Sequence, residues 1–90
     1  MTILFPCDAL HPRQVEPDFA SQAQAAQGAG LGVLRLDSDA FMQGDISRAL
    51  RFVGHSEQFQ VLVYRGWMLR AELYHTLFNA LLERNWHLLN

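Results

Sequence analysis

Lysine is absent: all seven basic residues among the 90 are arginines, at positions 13, 35, 48, 51, 65, 70 and 84. That excludes a Schiff base, a P-loop lysine and a lysine clamp on nucleotide phosphates. Cysteine is nearly absent too, and Cys7 alone makes neither an internal disulfide nor a cysteine-rich zinc site. No apolar run approaches the ~20 residues of a membrane helix, and Met1-Thr-Ile-Leu-Phe-Pro6 lacks the basic start of a secretory signal. These gaps predict a soluble, cytoplasmic chain with no membrane partner. Net charge is only −2 and the arginines are dispersed, so the basic stripe of a nucleic-acid binder is missing.

What is present is apolar material, 50% of the chain against 18% charged, which is the balance of one small globular domain over residues 1–90. A chain of this size hides roughly 60–65% of its unfolded surface, so its core has little margin and gains from a neighbour.

Thr2 to Phe5 reads as a short buried strand stopped by Pro6. Pro6, Pro12 and Pro17 stiffen the loop that follows. From Pro17 or Asp18 to Gln27 the residues are good helix formers, with Phe19, Ala23 and Ala26 on one face and Gly28 as the stop. Leu31 to Leu36 predicts a second strand, closing on a solvated acidic turn, Asp37-Ser38-Asp39. Asp45 is a fitting N-cap for a helix with Ile46, Ala49, Leu50 and Val53 at i, i+3, i+4 and i+7. Phe59 to Tyr64 is the strongest strand, suited to a central position. Met68 to Arg84 carries Leu69, Leu73, Leu77 and Leu81 at helical spacing, and Trp86 to Leu89 predicts a fourth strand.

This alternation predicts a small three-layer Rossmann-like α/β domain, with a mainly parallel four-stranded sheet of order 2-1-3-4 and about three helices. A chain ending straight after a strand is expected to be the first part of a longer protein.

Most apparent motifs have a plain structural reading. Gly28-Ala-Gly30-Leu-Gly32 follows a helix and opens a strand, the reverse of a dinucleotide fingerprint. Asp37 ends the second strand where a ribose-binding acid sits in nucleotide folds, yet the loop after the first strand has no glycine to admit a pyrophosphate. Cys7, Asp8 and His11 carry no signature of a cysteine hydrolase, and Cys7 is expected to pack beneath a loop. His11, His55, His75 and His87 show no paired spacing on one helix face, which predicts no metal site.

Val63-Tyr-Arg-Gly-Trp-Met-Leu69 differs in kind. In the order 2-1-3-4 it lies at the carboxyl end of the third strand, beside Pro6-Cys7-Asp8, at the topological switch point where open α/β sheets bind ligands. Two readings remain open. Arg65 grips a carboxylate or phosphate with Tyr64, Trp67 and Asp8 around it, or Arg65 and Asp8 form an ion pair that ties two loops while Trp67 and Met68 plug the core.

The run Tyr64-Arg-Gly-Trp-Met-Leu69, followed by Tyr74, Leu77, Leu81 and Leu82, resembles the N-terminal region of an uncharacterised clade of bacterial ATP-grasp proteins. Pro17-Asp-Phe-Ala-Ser-Gln22 is similar to the start of that clade's first helix, where an acidic residue often falls near position 22; this chain has Gln22. The resemblance implies a pre-ATP-grasp domain, the substrate-side lobe of a carboxylate–amine ligase-like protein, inactive alone. In that setting Arg65 is expected as the anion contact, Trp67 as an apolar wall and Asp8 as a polar neighbour, the roles their place at the switch point suggests, and the resemblance implies a downstream ATP-grasp domain as partner. ATP and magnesium are implied only for a full-length relative, and no cofactor for this chain. The alternatives are a stand-alone homodimeric interaction module, using the Trp67, Met68 and Trp86 surfaces, and a flavodoxin-like small-molecule-binding domain.

Overall fold

A computed structural model describes all residues, Met1–Asn90. Its centre is a four-stranded, all-parallel sheet of order β2-β1-β3-β4, formed by β1 (Thr2–Pro6), β2 (Gly32–Leu36), β3 (Gln60–Tyr64) and β4 (Trp86–Leu88). The small Rossmann-like α/β architecture predicted above is therefore the one observed. Four helices connect the strands: α1 (Ala20–Gly28), α2 (Ser38–Met42), α3 (Ile46–Ala49) and α4 (Ala71–Leu82), with a 3-10 turn at Pro17–Phe19 leading into α1.

Side chains alternate across a strand, and the parity of burial divides the layers. Leu4, Leu36, Leu62, Tyr64 and Leu88 join Ala40, Phe41, Ala49, Leu50, Leu77, Ala80 and Leu81 in the main core. The opposite face of β1 and β2 is covered by α1 through Ala23 and Ala26, with Phe5 packed on Phe19 at 6.5 Å between ring centroids. Right-handed crossovers demand this division, because the chain leaves β1 toward one edge and returns past it toward the other.

Local chemistry explains where the elements stop. Helix α1 runs through Gly28, the expected stop, and ends on a Schellman motif two residues later. Gly30 takes φ 82°, its N–H donates to Gln27 O, and Leu31 N–H donates to Ala26 O; a left-handed residue is needed there and glycine supplies it without a Cβ penalty. Asp45 caps α3 as predicted, its carboxylate accepting from Arg48 N–H at 3.2 Å. The last helix starts at Ala71, not Met68, because the chain is still extended at Arg70 (ψ 158°) after the bend at Gly66 and Trp67.

Two expectations are corrected. The segment after β2 is the N-cap and first turn of α2, and Asp37 is only 8% exposed, so it is not a solvated turn. Trp86 is 7% exposed and donates its indole N–H to Gly54 O at 3.2 Å, which removes it from any exposed docking surface. No helix is long and apolar enough to cross a membrane.

Candidate functional site

The carboxyl ends of β1, β2 and β3 meet at one rim of the sheet. At β3, the Arg65 N–H donates to Leu4 O at 2.8 Å, which extends the parallel ladder by one residue before the chain turns. Tyr64 is buried and its phenol donates to the carbonyl of Trp67 at 2.8 Å, closing the loop over its own ring. Burial raises the pKa of that phenol, so it stays protonated and donating through the physiological range. The Asn90 side chain completes the strand end: its Oδ1 accepts from Tyr64 N–H at 3.0 Å and its Nδ2 donates to Tyr64 O at 2.7 Å.

Gly66 is required by closeness rather than by backbone angle. A Cβ there would stand 2.5 Å from Tyr64 Oη, 2.7 Å from Cζ and 3.0 Å from Pro6 Cδ. The glycine therefore lets the loop lie flat on Tyr64 and swings Trp67 outward. Trp67 stacks edge-on against Phe19 at 5.3 Å and remains 47% exposed, while Met68 beside it is 98% exposed.

Arg65 does not pair with Asp8. Its Nε donates to the Oε1 of Gln22 on α1 at 2.7 Å, and the two ion pairs of the chain are Arg51–Asp37 and Arg70–Glu72. The ion-pair reading of Arg65 and Asp8 is thereby corrected: the sheet face to which position 65 belongs aims Arg65 toward α1, whereas Asp8 leaves β1 toward the opposite layer. Tyr64, Arg65 and Trp67 come together in one open hollow of about 410 Å³, with Met68, Leu69, Tyr74 and Asn90. Asp8 lies on the far side of the Trp67 ring, in a neighbouring recess of about 170 Å³ that Trp67 also lines. Trp67 is the ridge between the two.

The Asp8 side is acidic. Asp8 and Asp39 share an adjoining crevice of about 390 Å³ with Cys7, Asp37 and Arg48. Asp8 is committed to its own loop, accepting from Leu10 N–H at 3.0 Å. Asp37 accepts from Ala40 N–H at 3.1 Å as the cap of α2 and from Arg51 Nη1 at 2.6 Å. Burial opposes its ionisation, but the Ala40 bond and the Arg51 and Arg48 charges outweigh that and hold its pKa below the ordinary carboxylate value. Cys7 is buried beneath the loop, its backbone bridging Val15. Burial and then the Asp37 charge raise its thiol pKa, offset in part by Arg51 and Arg35, so the thiolate that nucleophilic or redox chemistry needs is disfavoured. No three His, Cys, Asp or Glu side chains converge as metal ligands would.

The residue that sequence reasoning underrated is Asp37. Its signal was present: an aspartate immediately before Ser-Asp-Ala-Phe-Met, with acid in the first turn, is an N-cap pattern. Its partner Arg51 lies 14 residues away and is brought to it only by the α2–α3 fold.

Fold and site together define a small open-sheet α/β domain with clefts at the carboxyl ends of its strands. Compared with protein-family models, curated proteins and solved structures, the chain matches none.

Proposed function

We propose that the chain acts as a non-catalytic, substrate-side lobe of an ATP-grasp-like carboxylate–amine ligase, holding an anionic substrate group on the loop after β3. The observation that carries this reading is the state of Arg65. Its guanidinium is positioned by a neutral carboxamide and keeps its full charge, beside the exposed flat surface of Trp67 and at the switch point of the sheet. A planar cation with unspent donors next to an aromatic wall suits a carboxylate on an apolar substrate. The clade resemblance of Tyr64–Leu69 supplies the reaction class; ATP and magnesium belong, in that reading, to a downstream domain.

The test is titration of the chain with the proteinogenic amino acids and short-chain carboxylates, followed by NMR at the Trp67 indole and Arg65 Nε signals. At least one carboxylate is expected to shift both signals saturably, and Arg65→Ala to abolish the shift. ATP with magnesium is expected to move neither signal. A panel without effect, or binding unchanged in Arg65→Ala, overturns the reading.

A second reading rests on Met68, whose side chain lies wholly in solvent next to half-exposed Trp67. Such a pair suits contact with a second copy of the chain. Sedimentation at micromolar concentration distinguishes the two: a dimer broken by Met68→Glu supports it, and a monomer removes it.

A further inference from the structure

We propose a second, independent oxyanion site on the opposite flank of α1, in a cleft of about 320 Å³ between the loop at Arg13–Val15, α1 and β2. Its polar lining is Arg13, Gln14, Gln24, Gln27 and Arg35, and no carboxylate lines it. In a chain where acids outnumber bases nine to seven, a hollow with two guanidinium groups, three carboxamides and no acid has a local charge opposite to the whole.

Arg35 is held ready for a ligand. It is half-buried on the α1 face of β2. Its Nε donates to Pro12 O at 3.1 Å, and its guanidinium lies 4.8 Å from the Phe52 ring centre. Those contacts fix the plane of the fork and leave the two terminal amino groups without a protein acceptor. Neither Arg35 nor Arg13 belongs to either ion pair of the chain. Arg51, whose guanidinium lies 4.3 Å from the same Phe52 ring, is by contrast neutralised by Asp37. A guanidinium withdrawn from water without a counter-charge bears a desolvation cost that a bound anion offsets. The fixed fork matches two oxygens of a phosphate or carboxylate, Arg13 supplies a second charge from the loop, and the glutamine amides can donate to the remaining oxygens. The ligand class is therefore a small polar molecule bearing a phosphate or carboxylate group.

Inorganic phosphate and succinate serve as probes, each compared with sodium chloride at equal ionic strength, by calorimetric titration and by the 15N signal of Arg35 Nε. One or both are expected to bind saturably and shift that signal, and the tighter of the two identifies the recognised group. Arg35→Gln is expected to weaken binding at least about tenfold, the scale of one lost charge-assisted contact. Arg35→Lys, which keeps the charge but not the fork, should fall between. Arg13→Ala, on an exposed loop, should weaken binding with unchanged melting, so the test survives if position 35 proves intolerant. Arg65→Ala should leave this binding intact, which separates it from the loop after β3. A response equal to that of chloride, or Arg35→Gln and Arg13→Ala binding like the parent chain, overturns the proposal.

Discussion

Gln22 on α1 accepts a hydrogen bond from Arg65 at the end of β3 across 2.7 Å, joining a helix and a strand 43 residues apart through a contact that carries no counter-charge. A carboxylate at position 22 would orient the same guanidinium and neutralise it. The neutral amide orients it and leaves it cationic.

Gln22→Glu is therefore expected to separate stability from binding. An exposed ion pair contributes about 0–1 kcal/mol, so melting should stay level or rise slightly. Carboxylate affinity at the β3 loop should drop about tenfold as Arg65 is neutralised. Melting and NMR titration of the same sample read both; equal affinity in parent and variant would remove Arg65 as the anion contact.

The Asp37–Arg51 pair predicts an acid-side loss of stability. Asp37 has a folded-state pKa below its unfolded value. Its contribution is thus fully present above about pH 4, the unfolded carboxylate value, and is lost as pH falls through the folded pKa. Asp37→Ala also removes the α2 cap and leaves Arg51 unpaired, costing about 2 kcal/mol at neutral pH, or roughly 10 °C in midpoint for a domain of this size. Chemical denaturation at pH 7 and at pH 3 should show the gap between parent and variant narrowing in acid.

Gly66→Ala should cost about 1–3 kcal/mol, the usual penalty of forcing an extra methyl into a filled space, because the new Cβ meets the Tyr64 phenol. Tyr64→Phe alone removes the bond to Trp67 O and should cost about 1 kcal/mol. Combined, the two should be less harmful than their sum, since the methyl already displaces the hydroxyl from its bond to Trp67 O, although the ring Cζ at 2.7 Å keeps part of the clash in the double variant. A strictly additive double-mutant cycle would show that the loop relieves the clash some other way.

Cys7 should resist thiol reagents. Burial and the Asp37 charge keep it protonated, so labelling by a disulfide reagent at pH 8 is expected to proceed only as fast as the loop opens, and to become immediate in denaturant. Fast labelling of the folded chain would place Cys7 in a more open setting than the one observed.

Much of the architecture was legible from local pattern. The β-branched run before Tyr64, the leucine spacing from Leu69 to Leu81 and the Asp45 cap each act within a few residues, and the alternation of strands and helices leaves few chirally acceptable orders. Boundaries were less legible, because either Gly28 or Gly30 could supply the left-handed residue and only the backbone bonds to Gln27 and Ala26 select Gly30, while the start at Ala71 follows from backbone still extended at Arg70 after the bend at Gly66 and Trp67.

The candidate site divides along the same line. Sequence by itself determined that Tyr64, Arg65, Trp67 and Asp8 stand at strand ends, and the strand order β2-β1-β3-β4 puts those ends side by side at the switch point. Which of them share a hollow was decided only by tertiary structure. Strand parity turns Arg65 toward Gln22, the missing Cβ of Gly66 lets Trp67 swing out as a ridge, and Asp8 is left among acids on the other side. Asp37 became a buried ionic anchor, and Arg35 a half-buried cation without one, for the same reason. The partner of a charge is chosen by packing between distant segments, which no short-range pattern encodes.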